Sequence, residues 1–162
     1  MKRFVMSVLW VLCLPAQAAD VIDIKRLNVD LAEEIAREAV HVCRAMGYQV
    51  SAVVVDRSAN VQVVIRDTMA SRFTITIAEQ KANAVILSGV DSSTFRKNRM
   101  DIRDEMNQVD GILVLEGGLP IRAGGVMVAA IGVSGAPGGD KDADCAAKAL
   151  AKYEERLEFA GQ

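Results

Sequence analysis

The first regular pattern of hydrophobic positions along the chain is that of an amphipathic helix. From Asn28 onward, hydrophobic residues recur at intervals of three and four, the spacing that places side chains on one helical face. These positions are Leu31, Ile35, Ala39, Val42 and Met46. Asp30 followed by Glu33 is typical of a helix N-terminus, and Gly47 is typical of a helix end. We therefore predict a helix between Asn28 and Gly47.

Two short runs rich in β-branched residues follow this helix. They cover Val50–Asp56 and Val61–Arg66, and the polar stretch Arg57–Asn60 separates them. Consecutive β-type runs joined by a short polar segment are typical of a β-hairpin. A second helix is predicted from Ser71, a favourable N-cap, to Leu87.

Beyond the second helix the pattern predicts a polar connection, three more strands and a last helix. The polar segment Asp91–Gln108 is expected to form a short helix and a mobile loop. The strands are predicted at Ile112–Leu115, Leu119–Arg122 and Val126–Val133, and the helix at Asp140–Phe159. The third of these strands is apolar on both faces, which favours a central position between helices. The resulting order predicts a single α/β (α+β) domain with a five-stranded antiparallel sheet flanked by helices.

The N-terminus has the features of a secretory signal peptide. Two basic residues precede an apolar run from Phe4 to Leu14, and Ala16-Gln17-Ala18 supplies the small residues of a cleavage site. The run has about 11 residues, whereas a membrane-spanning helix needs about 20, so we expect no stable membrane insertion. We predict that residues 1–18 are removed, that residues 19–162 form the domain, and that the protein is periplasmic or secreted.

Composition and charge exclude several classes of function. The chain of 162 residues has 19 Lys and Arg against 21 Asp and Glu, a net charge of −2, and only 4% aromatic residues. A nucleic-acid partner is therefore not expected, because such proteins are typically basic or rich in stacking aromatic residues. The single histidine also excludes a metal site made of several histidines.

Two cysteines, Cys43 and Cys145, lie beyond the predicted signal peptide. An oxidising compartment would allow a disulfide between them, and cysteines also pack well as small buried hydrophobic residues. Sequence separation alone does not decide between these alternatives. Of the two, we favour a pair of free, buried cysteines.

Five short segments in register resemble the GlcG/HbpS-type haem-binding protein family, which includes the C-terminal domain of PduO-type proteins. The segments are Val53–Asp56, Arg66–Ala70, Ala78–Ala82, Glu116–Ile121 and Ala130–Ala136. The resemblance implies a profilin-like domain, a homo-oligomer and haem binding. It also implies a possible signalling or catabolic protein partner, because some members resemble haem sensors and others lie beside catabolic genes.

The only imidazole of the chain, His41, is the first candidate for a haem ligand, because imidazole is a common axial ligand of haem iron. His41 lies about 120° from the centre of the hydrophobic stripe, given roughly 100° per helical residue, and is therefore not expected in the core. Glu38 precedes it by three positions, where a carboxylate can orient or charge the ring. The alternative is a solvated surface histidine.

Other side chains also suit a haem. The densest positive segment contains Arg96 and Arg99, and guanidinium groups pair well with carboxylates such as haem propionates; the alternative is a solvated face balanced by neighbouring acids. Tyrosine or methionine can replace histidine as an iron ligand. The candidates are Tyr48, Tyr153, Met46, Met69, Met100 and Met106. Since no C-x-x-C-H motif is present, bound haem is expected to be non-covalent.

The sequence contains no recognisable set of catalytic residues, so the chain is not expected to be an enzyme. The alternative is an accessory protein or enzyme of small-molecule catabolism that uses a pocket between the central strands and the second helix. Lys81 and Asp56 are predicted to form a buried ion pair that fixes this helix to the sheet.

Overall fold

The computed structural model describes residue 20 and residues 24–159. The predicted signal peptide, residues 1–18, lies outside the described residues. The helices are α1 (Val29–Ala45), α2 (Phe73–Ser88), α3 (Ser92–Asn98), α4 (Arg103–Met106), α5 (Gly139–Lys152) and α6 (Glu154–Phe159), and the strands are β1 (Ser51–Asp56), β2 (Val61–Arg66), β3 (Gly118–Ala123) and β4 (Val126–Ser134).

The strands form a four-stranded antiparallel sheet in the order β2-β1-β4-β3, so the prediction of five strands is wrong. The predicted strand at Ile112–Leu115 is irregular. Its backbone amides bond elsewhere: Leu113 donates to the carbonyl of Gln80 on α2, at 3.2 Å, and Val114 donates to the side chain of Asn107, at 2.8 Å. Because Val114 and Ile112 pack in a cluster with Ala84 of α2 and Phe95 of α3, the segment buries apolar side chains without joining the sheet.

Helices cover both faces of the sheet, as the sequence predicts. Along β1, Ala52 and Val54 face the core beneath α1 and α5, while Val53 and Val55 face α2; all four are fully buried. The alternation of side chains along a strand explains why a continuous apolar run fits a central position. The predicted hairpin of β1 and β2 is confirmed.

Helix α2 lies very close to β4, and Gly132 makes this approach possible. A Cβ atom added at Gly132 would lie only 1.9 Å from the carbonyl oxygen of Ala78 on α2. Ala78, Ala82 and Ala130 in the same interface are fully buried. At these residues the space between the central strands and α2 is therefore filled, which leaves no room there for the small-molecule pocket that the sequence predicts.

Two helix boundaries refine the predictions. Helix α1 begins after Asn28, whose side chain accepts a hydrogen bond from the amide of Leu31, at 2.9 Å, so Asn28 rather than Asp30 is the N-cap. The predicted last helix is divided at Tyr153 into α5 and α6.

Cys43 and Cys145 form a disulfide that joins α1 to α5, which corrects the expectation of two free cysteines. Their Cα atoms are 5.4 Å apart, and both residues are fully buried. Only the packing of α1 on α5 distinguishes a disulfide from two free cysteines. That packing is a tertiary feature that sequence separation does not reveal.

The predicted ion pair of Lys81 with Asp56 is also wrong. Lys81 donates instead to Asp142 on α5, at 2.7 Å, and to the carbonyl of Val133, at 3.0 Å. Asp56 accepts hydrogen bonds from the backbone amides of Ser58 and Asn60 and thereby shapes the β1–β2 turn. Lys81 therefore ties α2 to α5 across the end of β4.

Among the helices that the structure describes, none has the length and hydrophobicity required to cross a bilayer.

Candidate functional site

His41 is exposed on α1 and faces a groove between this helix and the end of α5, as the helical spacing predicts. The groove has a volume of about 450 Å³. Its lining consists of Asp30, Glu33, Glu34, Arg37, Glu38, His41, Lys152 and Tyr153. The imidazole is thus accessible to a ligand and is surrounded mainly by charged side chains.

Two ion pairs connect α1 to α5 and α6 along this groove. Glu38 accepts a hydrogen bond from Lys152, and Glu34 accepts two from Arg156, at 2.6 and 3.1 Å. The hydrogen bond from Arg156 lowers the pKa of Glu34, and the hydrogen bond to Glu38 raises the pKa of Lys152. Glu38 therefore lies in the same groove as His41, but Lys152 is its hydrogen-bond partner.

The loop after β2 lies against α1 close to His41. Arg44 donates to Asp67 from Nε, at 2.9 Å, and from Nη2, at 3.0 Å. Hydrogen bonds from Arg44 are the main cause that lowers the pKa of Asp67, and the positive charge of His41 contributes to the same shift. Met69, two residues further along this loop, is 78% exposed.

The ion pair of Asp67 with Arg44 leads to a prediction about stability at acid pH. The folded-state pKa of Asp67 lies below the unfolded value of about 3.9, so its stabilising contribution is present above that pH and is lost as the pH falls through the folded-state pKa. We expect Asp67→Asn to lower stability at neutral pH and to flatten the decline below pH ~4. Urea unfolding midpoints measured from pH 3 to 7 check this, with the exposed Asp104→Asn as control. An equal decline of the urea midpoint with falling pH in Asp67→Asn and in the wild type would contradict this prediction.

The two predicted propionate partners lie elsewhere in the fold. Arg96 is on α3, with Nη1 3.9 Å from Glu116, and Arg99 directly follows this helix and binds Asp101. Helix α3 packs against α2 and β3, whereas α1 covers the other face of the sheet. The structure therefore does not bring Arg96 and Arg99 together with His41 and Glu38.

Of the other possible iron ligands, only Tyr153 lines the groove of His41. Met106 lies on the far side of the fold, on α4, and Met100 lies near it in the α3–α4 connection. Tyr48 and Met46 are partly buried against the main core. Within residue 20 and residues 24–159, no group of three or more His, Cys, Asp or Glu side chains is arranged to hold a metal ion.

The sequence did not indicate Lys152, which lines the groove, or Arg156, which binds the groove residue Glu34. Both lie far from α1 along the chain and reach it only because α5 and α6 pack beside α1. No local signal in the predicted last helix indicated which helix it would face.

The donor set of this groove fits a haem in part. Haem iron accepts imidazole or phenolate oxygen as a ligand; His41 supplies the imidazole, and Tyr153 is the alternative ligand in the same groove. Arg37 and Lys152 are cations of the kind that pair with propionates. Charged side chains predominate in the lining of the groove, so it offers ionic partners to a ligand rather than an apolar wall.

The residues of the four-stranded domain match a family model. The model described as "Haem degrading protein HbpS-like" matches residues 27–151. The chain belongs to this HbpS-like family. The match covers every described strand and helices α1 to α4, together with nearly all of α5, so the four-stranded domain is the family's domain in this chain.

Solved structures agree with the family assignment. A structure of HbpS is 34% identical, covers 86% of this chain and 97% of its own, and has a TM-score of 0.75. A double mutant of HbpS from Streptomyces reticuli is 32% identical, covers 86% and 94% of the two chains, and has a TM-score of 0.77. A complex of PduOC with haem is 19% identical, covers 78% and 94%, has a TM-score of 0.68, and shares the fold. No curated protein matches the chain.

Proposed function

We propose that this HbpS-like chain is an exported protein that binds haem non-covalently, for storage, sensing or delivery, with His41 as an axial ligand. The observation that carries the proposal is the exposed imidazole of His41 in a groove that is also lined by the basic side chains of Arg37 and Lys152. Membership of a family described as haem degrading, and the haem complex of PduOC, support haem as the ligand.

The residues of the groove have separate roles in this proposal. A bound haem supplies an iron centre able to exchange ligands and electrons. His41 binds the metal, Lys152 and Arg37 pair with propionates, and Glu38 holds Lys152 against α1. Arg96 and Arg99 lie on the other face of the fold and have no part in this site.

Export is part of the proposal, and two features support it. The basic and apolar pattern of residues 1–18 is that of a signal peptide. A buried disulfide between Cys43 and Cys145 is typical of proteins in oxidising compartments. We also propose, from the family resemblance, a homo-oligomer in the periplasm or outside the cell, with a signalling or catabolic protein as a further partner.

A hemin titration followed in the Soret region tests the role of His41. We expect residues 19–162 to bind hemin saturably with an imidazole-type spectrum, and His41→Ala to lose that spectrum and weaken binding at least tenfold. Free imidazole added to His41→Ala is expected to restore the spectrum. Tyr153→Phe, in the same groove, is the matched control and should retain the wild-type spectrum.

The possible outcomes distinguish the identity of the iron ligand from haem binding itself. An unchanged spectrum in His41→Ala would contradict His41 as ligand, and a changed spectrum in Tyr153→Phe would assign the phenolate instead. Absence of saturable hemin binding by the wild type would contradict the proposed function itself.

A second candidate function is haem degradation, which the description of the family favours. The same hemin-loaded protein tests it. Loss of the Soret band after ascorbate is added in air, with release of iron to a chelator, would support degradation. A stable band over the same period would support binding alone.

A further inference from the structure

A second cavity lies on the opposite side of the sheet from His41, between the end of α2 and the helices α3 and α4. Its volume is about 460 Å³, within the roughly 300–1,000 Å³ typical of small-molecule sites. It is lined by Leu87, Ser88, Val90, Phe95, Asn98, Arg99, Ile102 and Met106. Five of these side chains are hydrophobic, and the only charged one is Arg99.

The walls of this cavity rest on a small hydrophobic cluster separate from the main core. Phe95 is buried in this cluster with Ala84 and Val114, and Val90 and Met106 pack against it. At the rim, Leu87 is 55% exposed. An apolar wall with an exposed leucine at its edge suits a ligand with an apolar body.

Arg99 leaves part of its hydrogen-bonding capacity unused. It donates to Asp101 through Nε, at 3.1 Å, and through Nη2, at 3.3 Å. Among the described residues, no acceptor binds its Nη1. The pair with Asp101 is exposed on both sides, and such surface pairs contribute little to stability. A second carboxylate therefore finds available donors at the rim of the cavity.

We propose that this cavity binds an apolar molecule that carries a carboxylate, with the apolar body against Phe95, Ile102 and Met106 and the carboxylate on Arg99. The site is distinct from the groove of His41 and does not depend on the proposed function. Two sources share this ligand chemistry, a fatty acid and a haem with its propionates, and the experiment distinguishes them.

Calorimetric titration with decanoate tests the proposal, with decanol as a ligand of the same apolar length without the charge. We expect saturable binding of decanoate, weaker binding of decanol, and a loss of about tenfold in decanoate affinity in Arg99→Gln. Arg103→Gln is the matched control, because Arg103 belongs to the same positive segment but does not line the cavity. Its decanoate affinity should equal that of the wild type.

Leu87→Glu adds a variant at the exposed rim, where a new carboxylate should repel decanoate without disturbing the core. Competition with hemin in the His41→Ala background identifies the source of the ligand: displacement of decanoate by hemin supports haem, and its absence supports a fatty acid. No saturable decanoate binding, or equal losses in Arg99→Gln and Arg103→Gln, would overturn the proposal.

Discussion

Replacing Cys43 and Cys145 together by alanine is expected to lower the free energy of unfolding by about 3–5 kcal/mol. The disulfide closes a loop with a sequence separation of 102 residues, and a loop of about 100 residues restricts the unfolded chain by an estimated ~4.7 kcal/mol at 25 °C. Both residues are fully buried, so the missing sulfur atoms also leave a small packing defect. Urea unfolding of the oxidised wild type and of the double variant measures the difference.

Reduced wild-type protein is the control that separates the cross-link from the packing. It keeps both sulfur atoms, so its stability should fall nearly as far as that of the double variant. A thiol assay in denaturant should find no free thiol in the oxidised protein, residues 19–162. Two free thiols per chain, or equal midpoints for the oxidised and reduced wild type, would contradict the disulfide.

The disulfide also bears on the groove of His41. Cys43 lies two residues after His41 on α1, and Cys145 belongs to α5, the helix that contributes Lys152. Loss of the cross-link should loosen α1 against α5, and hemin affinity is the measurement that shows whether the groove depends on it.

Lys81→Met is expected to destabilise the fold by about 3–5 kcal/mol. Lys81 is 1% exposed and donates to Asp142, which is 3% exposed, so the substitution leaves a buried carboxylate without its cation. Burial raises the pKa of Asp142 and lowers that of Lys81. Each charge therefore depends on the other to remain ionised inside the fold.

A double-mutant cycle tests this interdependence. Lys81→Met combined with Asp142→Leu removes both charges, and we expect it to be more stable than Lys81→Met alone. The exposed pair Lys148 and Asp144 on α5 is the matched control, and Lys148→Met should cost less than about 1 kcal/mol. Additive effects of Lys81→Met and Asp142→Leu in urea unfolding would contradict the coupling.

Local patterns predicted most of the elements. The helical spacing from Leu31 to Met46 located α1, and the β-branched runs located β1 and β2. The apolar run of β4 also predicted its central position. These features succeed because side-chain periodicity follows directly from helix and strand geometry.

Other features depend on distant parts of the chain. The run Ile112–Leu115 has strand character, but its amides find partners on Gln80 and Asn107, so it never joins the sheet. Lys81 was assigned the wrong partner because Asp142 approaches it only after α5 folds back across β4. The local sequence indicates neither the hydrogen-bond partners of this run nor the ion-pair partner of Lys81.

The candidate site was predicted only in part, because some of its residues come from distant parts of the chain. The position of His41 on an exposed helical face follows from spacing within α1, and Glu38 lies on the same flank. Lys152 comes from a helix whose neighbour the sequence did not indicate. Arg96 and Arg99 were grouped with His41 by their chemistry alone, and the sheet separates them from it.

A hemin titration of the oxidised wild-type protein, residues 19–162, tests the central claim most directly. We expect a Soret band that saturates with added hemin and has the shape of an imidazole complex. Absorbance that increases linearly with added hemin, without saturation and with the spectrum of free hemin, would contradict it.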